Sequence, residues 1–327
     1  MVDQFEAGHD RGSSHGATRI FRLAYRDPAY LRLAVDSLDW WRRLEAESGD
    51  VLLEQSGQLD HGDPAAIAQI IVNLESAGLA AEVLDPNEAT QRWPGMRFDR
   101  AVVHSPDGGR VFAARTLAAL HRQAAVHGAE LSFGERVESI EQVDDDDGSH
   151  VVVRTERREV VARTVVIAAG SWVNELLPAG VALASFTTSI ETPVHFRPRD
   201  SGLGGAPMVW PSFLHHASDS AGELSFAAYG LESPGEGVKV GCDDAPGVEA
   251  VIDYVRRWHP GLDPEPVSST QCRFTNTPDE RFVIDRFGPI VVCSPCSGHG
   301  FKFTAIIGDL VADLCDGVAP QHDFSLG

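Results

Sequence analysis

Charged side chains set among apolar neighbours are the first chemical signal in this sequence. Arg19 and Arg22 stand three residues apart in "HGATRIFR", His15 to Arg22. On a helical turn both would point to one side. A guanidinium fork there suits a carboxylate or phosphate, the plain alternative being a solvated helix face. Lys239 sits in "GVKVG" and, in an alternating strand, faces away from Val238 and Val240. It points either to solvent or into the inner face of a sheet, a costly place for an ammonium that serves no site. "SGHGFK", Ser297 to Lys302, lies between a β run and a long helical pattern. Gly298 and Gly300 would let backbone N–H groups approach a ligand, and the helix start would favour negative charge; a tight turn is the plain reading. Asp3 follows a strand-like start, where dinucleotide folds hold a ribose; their glycine fingerprint lies about 20 residues earlier.

Other reactive residue types carry less. The five cysteines, Cys242, Cys272, Cys293, Cys296 and Cys315, are odd in number and irregular in spacing, which is no disulfide framework. Cys293 and Cys296 form one CxxC, but structural zinc needs a second pair. Reduced, buried thiols and no metal are expected. Cys272 alone reads as a small buried residue. The run Asp144–Asp147 before Gly148 reads as a solvated hairpin turn.

The elements that must position these residues show in periodicity and caps. Residues 28–48 carry apolar positions at helical spacing with Gly49 as a stop. Asp63-Pro64 and Asp85-Pro86 open two more helices, and a fourth runs from about Ala113 to His127. "AELSFG", "RVESIEQV", "HVVVRTE" and "TVVIAAG" read as strands. "TVVIAAGSWVNELL" reads as strand, glycine turn and helix. Residues 185–280 look mostly antiparallel, with a helix near 246–258. The pattern is α/β at 1–48, 114–180 and 281–327, interrupted at 49–113 and 181–280 by sheet-rich, α+β segments: a nucleotide-binding domain with an interleaved substrate domain.

The chain has 327 residues and a formal net charge of −21. That charge argues against nucleic acid. No apolar stretch approaches the roughly 20 residues of a membrane span, and no secretory signal is visible. A cytoplasmic protein acting on a small molecule is the expectation.

"SSHGATRIFR", "RWPGM", "VVIAAGSWVNELL", "QCRFTNTPDERFVID" and "SGHGFKF", in this order, resemble the monomeric sarcosine oxidase and N-methyltryptophan oxidase family, within the D-amino-acid-oxidase-like superfamily. The resemblance runs from Val2 to about Phe324. It implies a Rossmann-like FAD domain of glutathione-reductase type with a mixed-sheet substrate domain. It implies a monomeric enzyme that oxidises the C–N bond of an N-methyl amino acid such as sarcosine, passing electrons to dioxygen and releasing hydrogen peroxide. FAD would be bound covalently through Cys272. Arg22 and Lys302 would grip the substrate carboxylate, and Arg19 and His15 would lie beside the flavin. Tyr229 and His299 would line the pocket, and Lys239 would assist dioxygen reduction. Lys239, His299 and Arg19 would be the catalytic group. Asp3, Gly170, Trp172, Gly298 and Gly300 would complete the cofactor contacts.

Three departures from the family pattern stand out. Phe274 takes the place of a tyrosine, and Asp243 that of a histidine. The opening strand and GxGxxG turn of the family do not precede Asp3 in this sequence, so weak FAD binding is expected. The alternatives are an inactive remnant of the same fold, or a glycine- or D-amino-acid-oxidase-like enzyme with noncovalent FAD.

Overall fold

The computed structural model describes residues 1–145, 148–178, 181, 186–199, 208–218, 224–243, 247–319 and 323–325. Its architecture is mixed α/β, with an eight-stranded sheet and four smaller ones among the described residues. The large sheet runs, in spatial order, Leu262–Ser269, Val194–Pro198, Gly237–Cys242, Ala228–Ser233, Ser212–His216, Gln58–Gly62, Val102–Ser105 and Glu82–Leu84. Only Ser212–His216 beside Gln58–Gly62 is a parallel pair; the others are antiparallel.

Period-two alternation gives this sheet two chemically different faces. Val194, Phe196, Phe213, Val238 and Val240 are fully buried in a cluster with Val251, Tyr254, Val255 and Trp258 of the helix Val248–Trp258. Hiding a side chain of this size contributes roughly 1.5–3 kcal/mol. His195, Leu214, Tyr229, Leu231 and Lys239 alternate with that set and take the other face.

A smaller sheet pairs Val165–Ile167 parallel to Ile290–Ser294, with Val283–Phe287 antiparallel beyond it. Ile290, Val291 and Val292 are all buried, as a strand covered on both faces requires. Val2 makes a parallel bridge to Ser132. The helix Pro28–Ser48 is capped by the Asp27 side chain and stopped by Gly49 at φ 74°, the left-handed position that favours glycine. It packs on the helix Thr304–Cys315 through Trp41, Ile306 and Ile307.

Several expectations change. The helical turn expected around Arg19 is a strand, Thr18–Phe21, antiparallel to Gly109–Phe112. Thr18, Ile20 and Phe21 are strand-favouring types. "AELSFG" contributes only the bridge at Ser132. The helix after "VVIAAG" is short: a 3₁₀ turn, Gly170–Trp172, then Val173–Leu176. Pro178 disfavours helical backbone at the residue before it. A strand at Glu159–Ala162 extends the hairpin Val137–Asp145 and Gly148–Thr155. Asp144 and Asp145 belong to that hairpin's first strand, while Asp146 and Asp147 lie outside the described residues. Among the described residues no helix is long and apolar enough to cross a membrane.

Candidate active site

A cavity of about 1570 Å³ lies against the Lys239 face of the large sheet. That exceeds the roughly 300–1,000 Å³ of a pocket for one small ligand. The strand and loop Thr18–Arg22, the turn at Gly170, the strand start at Cys272 and the loop Ser297–Lys302 all reach it. The catalytic, substrate-binding and cofactor-binding residues expected from the sequence all line it: Asp3, His15, Arg19, Arg22, Gly170, Trp172, Tyr229, Lys239, Cys272, Gly298, His299, Gly300 and Lys302.

Arg22 and Lys302 come from distant segments and meet around Tyr25. The Arg22 guanidinium carbon lies 4.2 Å from the centre of the Tyr25 ring and Lys302 Nζ lies 5.9 Å from it. Arg22 donates to the Ala24 carbonyl at 3.4 Å and Lys302 to the His299 carbonyl at 2.6 Å. Among the described residues neither has a carboxylate partner. Lys302 is 6 % exposed. Burial, then the charges of Arg22 and Arg19, pushes its ammonium well below the ordinary lysine range. An anion between two such cations relieves both. The Lys302 backbone is itself held: Trp41 Nε1 donates to its carbonyl at 2.8 Å.

Lys239 is 6 % exposed and points into the protein, which excludes the solvent-facing alternative. Its Nζ donates to the Thr18 carbonyl at 2.6 Å. Burial, then the charge of Arg19, lowers its pKa to about 7. Arg19 is less free than its spacing implied, because it donates to the carbonyls of Ser13, His15 and Thr18 and clamps that loop.

Cys272 is buried at the start of the strand Cys272–Asn276, which pairs with Thr187–Glu191. His15 Nε2 lies 3.7 Å from its sulfur and 3.0 Å from the Gln271 carbonyl. Burial, then the charge of Arg19, lowers the His15 pKa and favours a neutral ring. Ser171 Oγ and Thr275 Oγ1, 3.0 Å apart, join the Gly170 turn to this strand. Trp172 meets Phe5 edge-on at 5.3 Å. Asp3 Oδ1 accepts from the Phe5 amide at 2.9 Å, ordering the chain just past the Val2 bridge.

The loop glycines have physical reasons. Gly298 sits at φ +77°, and a Cβ there would come within 2.9 Å of the Phe274 ring. At Gly300 a Cβ would lie 1.5 Å from the Pro295 carbonyl oxygen, so its bareness serves the loop's own fold. His299 stacks on Phe282 at 4.8 Å and meets Tyr30 edge-on at 4.7 Å. Burial, then the cations Lys302 and Arg22, holds its pKa well below the histidine range, so it is a neutral wall. Tyr229 packs its ring over Gly241, where a Cβ would come within 2.3 Å of it. Burial, then the charge of Asp243, raises its pKa well above the ordinary tyrosine value, so the hydroxyl stays protonated. Tyr25 was missed from sequence. No local signal marks a tyrosine three residues after an arginine as the floor between two cations.

The chain matches the family model for FAD dependent oxidoreductases over residues 1–314. It is 32% identical to the peroxisomal sarcosine oxidase of Homo sapiens, covering 99% of this chain and 87% of that protein. It is 26% identical to a monomeric sarcosine oxidase of Bacillus sp. (strain NS-129), covering 100% and 88%. Among solved structures, the open form of NikD, an unusual amino acid oxidase essential for nikkomycin biosynthesis, superposes with a TM-score of 0.80 at 26% identity, covering 98% and 91%. Glycine oxidase from Geobacillus kaustophilus shares the fold, with a TM-score of 0.79 at 19% identity, covering 100% and 90%.

The cavity fits a flavin on its own chemistry. Lys239, Arg22 and Lys302 line it with no carboxylate partner among the described residues, which suits an anionic group, and the Cys272 thiol lies on the same cavity. The GxGxxG turn that cradles a pyrophosphate in dinucleotide folds is not among the described residues. With the family pattern matched along nearly the whole chain, the protein belongs to the FAD-dependent oxidoreductases.

Proposed function

We propose that this protein is an amine oxidase acting on N-methyl amino acids, of which sarcosine is the simplest, with dioxygen as acceptor. The observation that carries this reading is the convergence of Arg22 and Lys302 on Tyr25, in the same cavity as Cys272 and Lys239. The likeness to two sarcosine oxidases supports it. FAD, when bound, supplies the two-electron redox chemistry that no side chain here can perform.

Each residue then has a physical task. Arg22 and Lys302 hold the substrate carboxylate from two segments, which fixes the C–H bond that is presented. Tyr229 and the neutral His299 wall the reacting end against water. Cys272 would be the side chain that holds the cofactor covalently. Lys239, with a pKa lowered to about 7, can carry a proton at Nζ near neutral pH. In that form its positive charge would face the negative charge that develops as dioxygen takes up electrons, in a site of low dielectric. Overall, two electrons and two protons leave the amine for dioxygen and give hydrogen peroxide. The resulting imine hydrolyses to an aldehyde and the primary amino acid.

The test is peroxide release from the flavin-loaded protein given sarcosine, N-methylalanine, glycine or D-alanine. Peroxide from the N-methyl compounds in preference to the primary amines supports the reading. Preference for the primary amines contradicts it.

A further inference from the structure

The cavity face of the large sheet carries a polar pair that the proposed oxidation does not use. Asp60 lies in the strand Gln58–Gly62 and is 0% exposed. Its Oδ1 accepts from His216 Nε2 at 2.9 Å, and its Oδ2 accepts from Gln58 Nε2 at 3.2 Å. The parallel register sets Asp60 beside Leu214. Leu214 and His216, two residues apart on one face, both line the cavity, and Leu214 stands opposite Tyr229. Tyr25, which contacts Arg22 and Lys302, lies within reach of the Asp60 charge. Through His216 the pair reaches the same cavity as the residues proposed to hold the substrate.

Burying an ionisable pair in a sheet is expensive, and apolar residues of similar volume often pack as well or better. This pair has a geometry that suits recognition. Asp60 commits Nε2 of His216 and fixes the ring's orientation, as a carboxylate does for a ligating histidine. Nδ1 is then the ring nitrogen that Asp60 leaves uncommitted, on a residue that lines the cavity.

We propose that the Asp60–His216 pair is a specificity element that hydrogen-bonds a hydroxyl or amide on the substrate's side chain. The preferred N-methyl amino acid would then carry a polar side chain rather than an aliphatic one of the same shape. This inference rests on the amine-oxidase reading. Sites built to hydrogen-bond a substrate group reject analogues lacking it far more strongly than apolar pockets sort by size.

The test compares near-isosteric pairs on the flavin-loaded protein: N-methylasparagine against N-methylleucine, and N-methylserine against N-methyl-2-aminobutyrate, as racemates. A polar preference in kcat/KM of about 10-fold or more is expected for at least one pair. His216→Phe should bring that ratio to within about 2-fold of unity, and His216→Gln, which keeps an acceptor, should retain part of it. If His216→Phe does not fold by circular dichroism, the near-isosteric Asp60→Asn is read instead, with a fall of roughly 3-fold or more expected. Oxidation without a polar preference, or a preference that survives these changes, overturns the specificity proposal alone. Oxidation of sarcosine but of none of the four compounds also overturns the specificity proposal alone, whereas oxidation of none of the five overturns the oxidase reading, and this proposal with it.

Discussion

Lys239 and Arg19 donate to one acceptor: Lys239 Nζ lies 2.6 Å and Arg19 Nη1 2.8 Å from the Thr18 carbonyl oxygen. Two cations share a single oxygen inside the protein, and the lysine is the one that yields, its pKa falling to about 7. The cost is spent on placing a titratable positive charge beside the cavity.

Replacing Lys239 with Met should separate the two consequences of that charge. Reoxidation of the reduced flavin by dioxygen should slow about 10²-fold, the scale of losing one charge-stabilising donor. Stability should rise. Between pH 7 and 10.5 the unfolded chain keeps the lysine proton and the folded one loses it, so this residue makes the native protein less stable as pH falls through that window. The gain in melting temperature on Lys239→Met should therefore be larger at pH 7 than at pH 10. Thr18 still has Arg19 as a donor, so no carbonyl is orphaned. Stopped-flow reoxidation and melts at both pH values check this; unchanged reoxidation contradicts the role.

Carboxylate binding should be coupled to a proton. Lys302 is held well below the lysine range by burial, then by Arg22 and Arg19, and a bound anion pulls it back up. Binding should thus take up protons and weaken as pH rises. Calorimetry with a carboxylate inhibitor in two buffers of different ionisation enthalpy measures the uptake directly. Lys302→Met should abolish the uptake and weaken binding about 10- to 100-fold, the range for a lost charge-assisted bond. Binding heats that do not depend on buffer contradict the coupling.

Cys272 should be the flavin's covalent partner. After acid precipitation of native protein the flavin colour should stay in the pellet; after Cys272→Ser it should appear in the supernatant. Flavin released from the native protein would mean that attachment is noncovalent.

The outer side of the large sheet should make the protein acid-labile. The rings of His61 and His215 are tilted against each other with centres 4.1 Å apart, and the His259 ring centre lies 4.6 Å from that of Phe213. Among the described residues, neither ring nitrogen of His61 or His259 has a hydrogen-bond partner. Burial, then neighbouring positive charge, lowers His215 and His259 to about 3. Unfolded histidines take up protons below about pH 6.5, so stability is full above that pH and is lost progressively toward pH 3. The melting temperature should fall steadily between pH 6.5 and 4.5. His259→Phe, which removes one titrating group and packs among Trp210, Phe213 and Tyr254, should flatten the fall. A melting temperature independent of pH in that range contradicts the argument.

The helices were legible because their signals are local. Asp27-Pro28, Asp63-Pro64 and Asp85-Pro86 are caps that act within one turn, and each opens a helix in the structure. The sheet pairing was not, because Gln58–Gly62 finds its parallel partner in Ser212–His216, far along the chain, and no local pattern encodes that register. Arg19 and Arg22 were misplaced on a helical turn because four residues between loops carry too little periodicity to separate helix from strand. The direction of Lys239 depended on which face of the sheet the helix Val248–Trp258 covers. His216 and Asp60 carried no signal at all, since each sits in a short strand whose neighbours look ordinary.

The central claim is that this cavity oxidises N-methyl amino acids. Its most direct test is the visible spectrum of the flavin-loaded protein when sarcosine is added without air. The oxidised flavin band should bleach, and admitting air should restore it once the sarcosine is consumed, with one hydrogen peroxide released per sarcosine oxidised. A band that persists at millimolar concentrations of sarcosine and of every other N-methyl amino acid tried would contradict it.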